Sequence, residues 1–360
     1  MIKIRNLLYP KSGEGGNSQM NKVRELFIEV TNHCYQKCIH CSSSANCNGP
    51  EIPFQYLKQL IDKAIPIGLE SVTLSGGEPF LYPDLQKVLK YLKANKLHTS
   101  IYTCGVIKNK KGELTSIPEE KFAELVHIGL ERIIFSLHGQ NAEVQNRIAN
   151  TKGSFDMVIH SLDFAIQTGV NVELHIVPMQ MNLYGIEDIL KLARGKGITK
   201  VSLLRFVPQG RGSLGMEPSK ADYLWLKNKY PRWEKEYPEI QIRMGTPYNC
   251  LTFDGKNCTA GQDKLLINAY GEYMPCEAFK YMHGTRPTIY DTPIEKVWVE
   301  DSLLNALRHL RLEDVSICSN CPLRYNCKGG CPGQRMHRNG NLLNGPDPSC
   351  IQELININIL

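Results

Sequence analysis

One unit recurs six times between Arg24 and Arg205: a short apolar run, then a segment whose apolar residues return every three to four positions. The runs are 26–31, 70–75, 98–103, 131–137, 170–177 and 199–206, and the segments between them carry stripes such as Leu57, Ile61 and Ala64, or Ile186, Ile189, Leu190 and Ala193. Short apolar runs suit strands, and a helical period suits a helix with one sticky face. Strands alternating with covering helices require a parallel sheet. The expected fold class is therefore α/β. Six units make either an open doubly wound sheet or a (β/α)6 partial TIM barrel, and periodicity leaves both open. A barrel carries its chemistry on the loops after its strands, and chemically distinctive residues fall there, at 31–41, 76–79, 104–105, 136–139 and 205–212.

With 360 residues, 42% of them hydrophobic and 22% charged, the chain has ample material for a core, which excludes disorder. No run of eighteen apolar residues occurs, and Met1-Ile-Lys-Ile-Arg5 does not read as a signal peptide. A membrane is not an expected partner, and the cytoplasm is the expected location. The net charge of +6 invites a nucleic-acid reading, but no Lys/Arg block interleaved with aromatics supports it, so nucleic acid is not an expected partner either.

Past about 212 the pattern changes. Segment 218–237 reads as a helix with Leu224, Leu226, Trp233 and Tyr237 as packing residues, broken at Pro231 and ended by Pro238. A hairpin is expected over 264–276, turning at Tyr270-Gly271-Glu272, and a helix over 302–314. Eight of the thirteen Cys lie here amid many Gly and Asn. Such a region gathers little apolar core, and metal ligation supplies the missing folding free energy. The expected division is an N-terminal extension over 1–23, with a mobile loop at Lys11–Asn17, then a barrel over 24–212, a helical linker over 213–249 and a Cys-rich domain over 250–360.

Directly after the first strand comes Cys34-Tyr-Gln-Lys-Cys38-Ile-His-Cys41. Three thiolates from one short loop fill three corners of an iron–sulfur cubane and leave its fourth iron open to a chelating small molecule. The same spacing suits a structural zinc completed by His33 or His40. Ser75-Gly76-Gly77-Glu78-Pro79 follows the second strand. Paired glycines let a backbone approach a ligand closely, and Glu78 accepts hydrogen bonds from an ammonium.

Together, in this order, the two motifs resemble the radical S-adenosylmethionine superfamily, whose signature is CxxxCxxC followed by GGEP after the second barrel strand. The resemblance implies the partial barrel, a 4Fe-4S cluster on Cys34, Cys38 and Cys41, and S-adenosylmethionine on the open iron. It also implies cofactor-binding roles for Gly76, Gly77 and Glu78 at the methionine amino end, for His40 near adenine, for Ser136 at the ribose and for Arg147 at the carboxylate. His40 departs from the aromatic residue commoner at its position. Tyr102-Thr103-Cys104-Gly105 departs from the Thr-Asn-Gly of many relatives. Cys104 is therefore a candidate substrate contact, with a tolerated small buried residue as the alternative reading. Cys47 and His138 stand between the same two readings.

The C-terminal thiols are Cys250, Cys258, Cys276, Cys318, Cys321, Cys327, Cys331 and Cys350. Eight ligands divide into two four-thiolate sites, which zinc and iron–sulfur clusters accept alike. From Cys258 through Gly271 and Cys276 to Cys350 the spacing resembles the seven-Cys SPASM extension, and Thr292–Trp298 resembles the segment before its Cys run. That resemblance implies an iron–sulfur domain with two auxiliary 4Fe-4S clusters, hence three in all. The nearer would use Cys250, Cys258, Cys276 and Cys331, and the outer Cys318, Cys321, Cys327 and Cys350. The seven-Cys pattern begins at Cys258, so Cys250 is either the fourth ligand or a buried thiol, in which case Cys47 or a substrate thiol fills the corner.

The implied activity is that of a radical oxidoreductase: one electron splits the sulfonium, and a 5′-deoxyadenosyl radical takes a hydrogen from an unactivated carbon. Auxiliary clusters that accept the surplus electron suit oxidation or crosslinking. Glu277 follows Cys276, and in the resembling sulfatase-maturing enzymes an Asp at this neighbouring place acts as base. Glu277 is thus a candidate catalytic base, or else a solvated surface residue. Modification of a peptide or protein side chain is the leading expectation. Oxidation or decarboxylation of a small molecule, such as a haem precursor or sugar, is the alternative that Arg205 and Arg211 favour. A plain iron–sulfur electron carrier is the third reading, and the open iron beside Ser75–Pro79 argues against it. The expected partners are the peptide or small-molecule substrate, a reductant such as flavodoxin or ferredoxin, and a separate leader-binding protein. The last follows because the residues before the first strand leave no room for an N-terminal leader-gripping domain.

Overall fold

The structure is a computed structural model that describes residues 22–281, 285–352 and 354. The loop expected over 11–17 lies outside the described residues, as does nearly all of the extension over 1–23. The strands are β1 (Glu25–Thr31), β2 (Ser71–Gly76), β3 (His98–Thr103), β4 (Val106–Lys108), β5 (Leu114–Ser116), β6 (Arg132–Ser136), β7 (Asn171–Ile176), β8 (Lys200–Leu203), β9 (Gln241–Met244), β10 (Lys264–Ile267) and β11 (Tyr273–Met274). Around them run α1 (Phe54–Ala64), α2 (Leu85–Ala94), α3 (Glu119–Ile128), α4 (Ala142–Ala149), α5 (Ser154–Gln167), α6 (Ile186–Gly195) and α7 (Lys220–Glu236). Shorter helices follow: α8 (Asn249–Thr252), α9 (Ile294–Glu300), α10 (Ser302–Arg308), α11 (Arg324–Cys327) and α12 (Pro332–Asn339).

Among the described residues nine strands form one sheet in the order β11-β10-β1-β2-β3-β6-β7-β8-β9, parallel except between β10 and β11. The six expected strands are all present, their ends within three residues of the expected ones. This is the partial β/α barrel, with β9 at one edge and the β10–β11 hairpin at the other. Two additions extend it. The segment expected as a purely helical linker contains β9, which pairs with β8. The first arm of the expected hairpin joins β1, matching Leu26 to Leu265 and Ile28 to Ile267. A four-residue strand whose partner lies far off in sequence leaves no periodicity to read.

Side chains alternate across the strands. Leu26, Ile28, Val72, Leu74, Ile133, Phe135, Leu174, Ile176, Val201 and Leu203 join the helix stripes of α1 to α6 in one continuous core. The opposite face is the lumen. It holds a small cluster of Phe27, Leu266 and Met274 with Tyr102 against it, and Ile134, beside many polar residues: Glu29, Thr73, Ser100, Glu173, His175 and Ser202 are all buried there. A lumen lined this way is not consumed by its own packing.

Helix α7 opens on a reciprocal capping box between Ser219 and Asp222 and runs unbroken through Pro231, where a break was expected. An interior proline costs about 3 kcal/mol. Burial of Tyr223, Leu226 and Trp233 outweighs it, at roughly 1.5–3 kcal/mol for each large side chain. The helix expected over 302–314 is shorter, ending at Arg308 before a tight turn at Leu312–Asp314. The Cys-rich region is tied to the barrel by Arg205, buried after β8. Its guanidinium donates to Ser349 Oγ at 2.6 Å, Asp347 Oδ1 at 3.1 Å and Glu217 Oε1 at 3.2 Å.

Candidate active site and cysteine centres

The loop after β1 carries Cys34, Cys38 and Cys41, and the backbone around it holds it from three sides. Lys37 and Ile39 donate to the carbonyls of Ala149 and Ile148 at the end of α4. Arg211, beyond β8, donates through Nε to Cys38 O at 2.8 Å and through Nη1 to Ala45 O at 2.7 Å, and its own amide donates to Cys41 O. The third side is the Ser75–Glu78 turn, where Gly77 donates to Thr31 O and Glu78 to His33 O. A Cβ on Gly76 would stand 2.0 Å from Thr31 O, and one on Gly77 would stand 2.2 Å from His33 O. Only glycine fits at either place. The closest partner of the paired glycines is thus the Cys loop itself.

Glu78 is fully buried, and its carboxylate accepts from Phe80 N, Thr103 Oγ1 and Cys104 N at 2.8–3.2 Å. Those oxygens are committed to fixing the ends of β2 and β3. Burial still raises its pKa against these bonds. The Cys104 thiol shares a hydrogen bond with Cys34, which lowers Cys34 and raises Cys104. Burial, then the neighbouring Cys34 and Cys41, push the Cys38 thiol far up. Cys34 and Cys41 lie close enough to Cys38 to raise its thiol, so one pinned loop brings three candidate metal ligands together.

His40 meets His138 edge to face, ring centroids 4.4 Å apart. Burial, then Arg211, lowers His40 to about 4, and burial lowers His138 well below the usual histidine range. Both rings are neutral, and His138 Nδ1 accepts from Val177 N. Ser136 closes β6 on the lumen face, whereas Arg147 stands exposed on α4 and Cys47 is exposed beyond the Cys loop.

The C-terminal thiols fall into two groups. A cavity is lined by Cys250, Cys318, Cys321, Cys327 and Cys350, with the sulfurs of Cys250 and Cys327 3.4 Å apart. Cys258, Cys276 and Cys331 form the other group: burial, then the charges of Glu277, Cys258 and Cys331, push Cys276 well up, and burial with Asp347 and Cys258 brings Cys331 to about 12. The Cys250 sulfur thus lies beside Cys327 of the outer set, while the sequence resemblance implies a role for it at the nearer one. A profile of the radical SAM superfamily matches residues 28–194, and one for the SPASM iron–sulfur cluster-binding domain matches 258–322.

The chain is a radical SAM enzyme with a SPASM domain.

Among relatives of this radical SAM enzyme, mycofactocin maturase MftC of Mycobacterium tuberculosis is 27% identical over 342 residues, spanning 90% of this chain and 82% of that one. The AdoMet-dependent heme synthase of Methanosarcina barkeri is 24% identical over 92% of this chain and 97% of its own. Streptococcus suis SuiB, solved bound to precursor peptide SuiA, superposes with a TM-score of 0.74 at 20% identity, over 92% of this chain and 76% of that one, and so shares the fold. The two matched domains go with S-adenosylmethionine binding and with iron–sulfur clusters beyond the first.

Glu277 follows Cys276 and sits 3.4 Å from Lys264 Nζ. Burial works to raise its pKa, but Lys264 and Lys280 outweigh burial and hold the carboxyl below the usual range. Lys280 is itself buried, paired with Glu29 of β1 and donating to Ser43 Oγ at 3.0 Å beside Cys41. Sequence reasoning missed Glu29 and Lys280 because each looks like an ordinary surface charge until the fold buries them. Arg205 and Arg211, by contrast, stood out in sequence as free cations and prove to be committed to protein contacts. Among the described residues no helix is long and apolar enough to cross a membrane.

Proposed function

We propose that this radical SAM enzyme oxidises or crosslinks a peptide or protein side chain, using three 4Fe-4S clusters. One observation carries the reading: the Cys34–Cys41 loop and the Cys276–Lys280 segment meet across a polar lumen, joined by the Glu29–Lys280 pair. When bound, the first cluster and S-adenosylmethionine supply one-electron hydrogen abstraction. The protein's part is to hold and to exclude. Cys34, Cys38 and Cys41 ligate the first cluster, and the Cys loop is pinned by Arg211 and the glycine turn. Gly76, Gly77, Ser136 and Arg147 line the cofactor's path, with Glu78 fixing the turn that carries it, and the neutral His40–His138 pair offers adenine an uncharged wall. Glu277, held ionised, takes the proton that leaves with the electron. Cys258, Cys276 and Cys331 hold the nearer auxiliary cluster. Cys318, Cys321, Cys327 and Cys350 hold the outer one, with Cys250 available to either.

Two relatives support the peptide reading, one a maturase by name and one solved with a precursor peptide. The heme synthase relative supports a small-molecule reading. That reading is weakened because Arg205 and Arg211, the cations that would receive substrate carboxylates, are already bonded within the protein. A flavodoxin or ferredoxin as reductant and a separate leader-binding protein complete the proposal. The test is anaerobic turnover of reconstituted enzyme with precursor-type peptides, with and without a leader-binding protein, and with a haem precursor in parallel. We expect one peptide product, lighter by two hydrogens, per 5′-deoxyadenosine. Turnover of the tetrapyrrole with no change in any peptide would overturn the peptide reading.

A further inference from the structure

The sheet runs from β9 at one edge to β10 and β11 at the other, and the inner wall next to the β9 edge holds polar groups that the chemistry above does not use. In the parallel register His175 of β7 pairs with Ser202 of β8, and Ser202 pairs with Arg243 of β9. The alternate residues Ile242 and Met244 belong to the outer core, so Arg243 stands on the lumen side. Its guanidinium leans toward the carboxyl end of β9, where Nη2 lies 3.6 Å from the place a Cβ on Gly245 would take.

Two of these groups are buried and unsatisfied. His175 is 4% exposed and Ser202 1%, and neither His175 Nδ1 nor Ser202 Oγ has a hydrogen-bond partner. An orphaned buried polar atom costs about 1–3 kcal/mol, so two of them side by side on one wall call for a partner that is not part of the chain. The wall continues through Tyr102, whose ring lies 4.8 Å from that of His175, to Phe27 and Lys264.

The charges around this wall fix the sign of that partner. Arg132 and Lys200 share one carboxylate, Glu173, at 3.2 and 3.0 Å, and Lys264 has Glu277. Arg243 has no carboxylate partner among the described residues. Burial keeps the His175 ring neutral with these four cations facing it, so its Nδ1 is free to carry the proton and donate. A planar guanidinium fork beside a hydroxyl and an imidazole N–H matches the two oxygens of a carboxylate.

We propose that this wall is a substrate-carboxylate site, in which Arg243 forks onto the carboxylate while Ser202 and His175 donate to it. The proposal rests on the peptide reading and narrows it: the modified peptide presents a carboxylate, either its own C-terminus or an acidic side chain, and that group orients the target carbon in the lumen. Arg243 and Ser202 are positioning residues for substrate, apart from the metal ligands and from Glu277.

Equilibrium dialysis of the anaerobically reconstituted enzyme tests this with three fluorescent tetrapeptides: one with a free C-terminus, one amidated with an internal Glu, and one amidated with Gln in its place. At least one carboxylate peptide is expected to be retained about tenfold better than the Gln peptide, and the arm that is retained names the source. Arg243→Gln should abolish that preference, Arg243→Lys should keep part of it, and Ser202→Ala should weaken it, all with unchanged iron content and unchanged substrate-free 5′-deoxyadenosine release. Equal retention of all three peptides, or a preference that survives Arg243→Gln, would overturn the site. Glutarate bound with the same Arg243 dependence while every peptide is excluded would keep the site and overturn the peptide reading.

Discussion

The barrel and the Cys-rich region are built by different physics within one chain. In the barrel, strands of up to seven residues and helices of up to fourteen bury one continuous apolar core, and register alone aligns Leu26, Leu265 and Val72 across three strands. Beyond β11 the longest helix is the eight-residue α12, and the local apolar cluster is seven residues, among them Phe279, Leu303 and Met336. The first region folds on apolar burial, whereas beyond β11 the only described residues buried in that core are Ile294, Val297, Trp298, Leu304 and Ile351, and the rest has the seven-residue cluster alone. The difference teaches that the cysteines in the two regions do different work. In the barrel they decorate a finished fold, whereas in the C-terminal region they are the missing core.

The sharpest consequence concerns the first loop. Because Arg211, through its guanidinium and its amide, and the backbone of Ile148, Ala149 and the glycine turn already hold it, Cys38→Ala should leave the barrel folded and the auxiliary iron in place while 5′-deoxyadenosine release falls to background. Iron analysis and chromatography of the cleavage product check both halves. A variant that still splits the cofactor would remove the assignment of Cys34, Cys38 and Cys41.

Stripping the metal is the converse. Anaerobic chelation should unravel the chain beyond β11 and leave the barrel, because ligation there replaces apolar burial, at a scale of roughly 10 kcal/mol by analogy with structural metal sites. Limited proteolysis reads this as cuts past 276 with residues 22–267 protected. Protection of both regions after chelation would mean that the small cluster around Phe279 suffices.

Between these extremes stands the joint. Arg205 is buried against Asp347, Glu217 and Ser349, with the Tyr223 ring 4.6 Å from its guanidinium carbon. Arg205→Gln leaves two buried carboxylates without their cation, which costs about 3–5 kcal/mol. Thermal unfolding of the holoenzyme should then split into two transitions where the parent shows one. A single transition shifted downward would mean that other contacts suffice to couple the regions.

How much of this was legible in the sequence follows the same division. The six strands were legible because each is a contiguous apolar run beside an amphipathic helix, and the Cys loop and Ser75–Pro79 because their spacing is local. What escaped was set by distance along the chain. The four-residue β9 owes its state to β8, and β10, legible as a hairpin arm, owes its place in the sheet to β1. Glu29 and Lys280 become a buried pair only when segments some 250 residues apart meet. Pro231 misled because its local cost is real, while the burial that offsets it is tertiary. The bonds from Thr103 and Cys104 to Glu78 depend on a neighbouring strand end that no motif encodes.

The smallest expected effect asks to which region α7 belongs. Ser219 Oγ accepts from Asp222 N, and the Asp222 carboxylate accepts back from Ser219 N and from Tyr184. Ser219→Ala removes the cap and should cost about 1 kcal/mol. Partial burial opposes ionisation of Asp222, yet the hydrogen bonds from Tyr184 and Ser219 win and hold its pKa below the usual carboxylate value. A depressed folded pKa stabilises above the ordinary value and loses that contribution as pH falls through the folded one. The Ser219→Ala deficit, measured by denaturant unfolding, should therefore be full at neutral pH and shrink in acid. If it appears in the transition that survives chelation, α7 folds with the barrel, as its packing of Trp233 beside Glu187 of α6 implies. If it appears only in the metal-dependent transition, α7 belongs with the Cys-rich region, and the boundary between the two kinds of folding lies before Lys220.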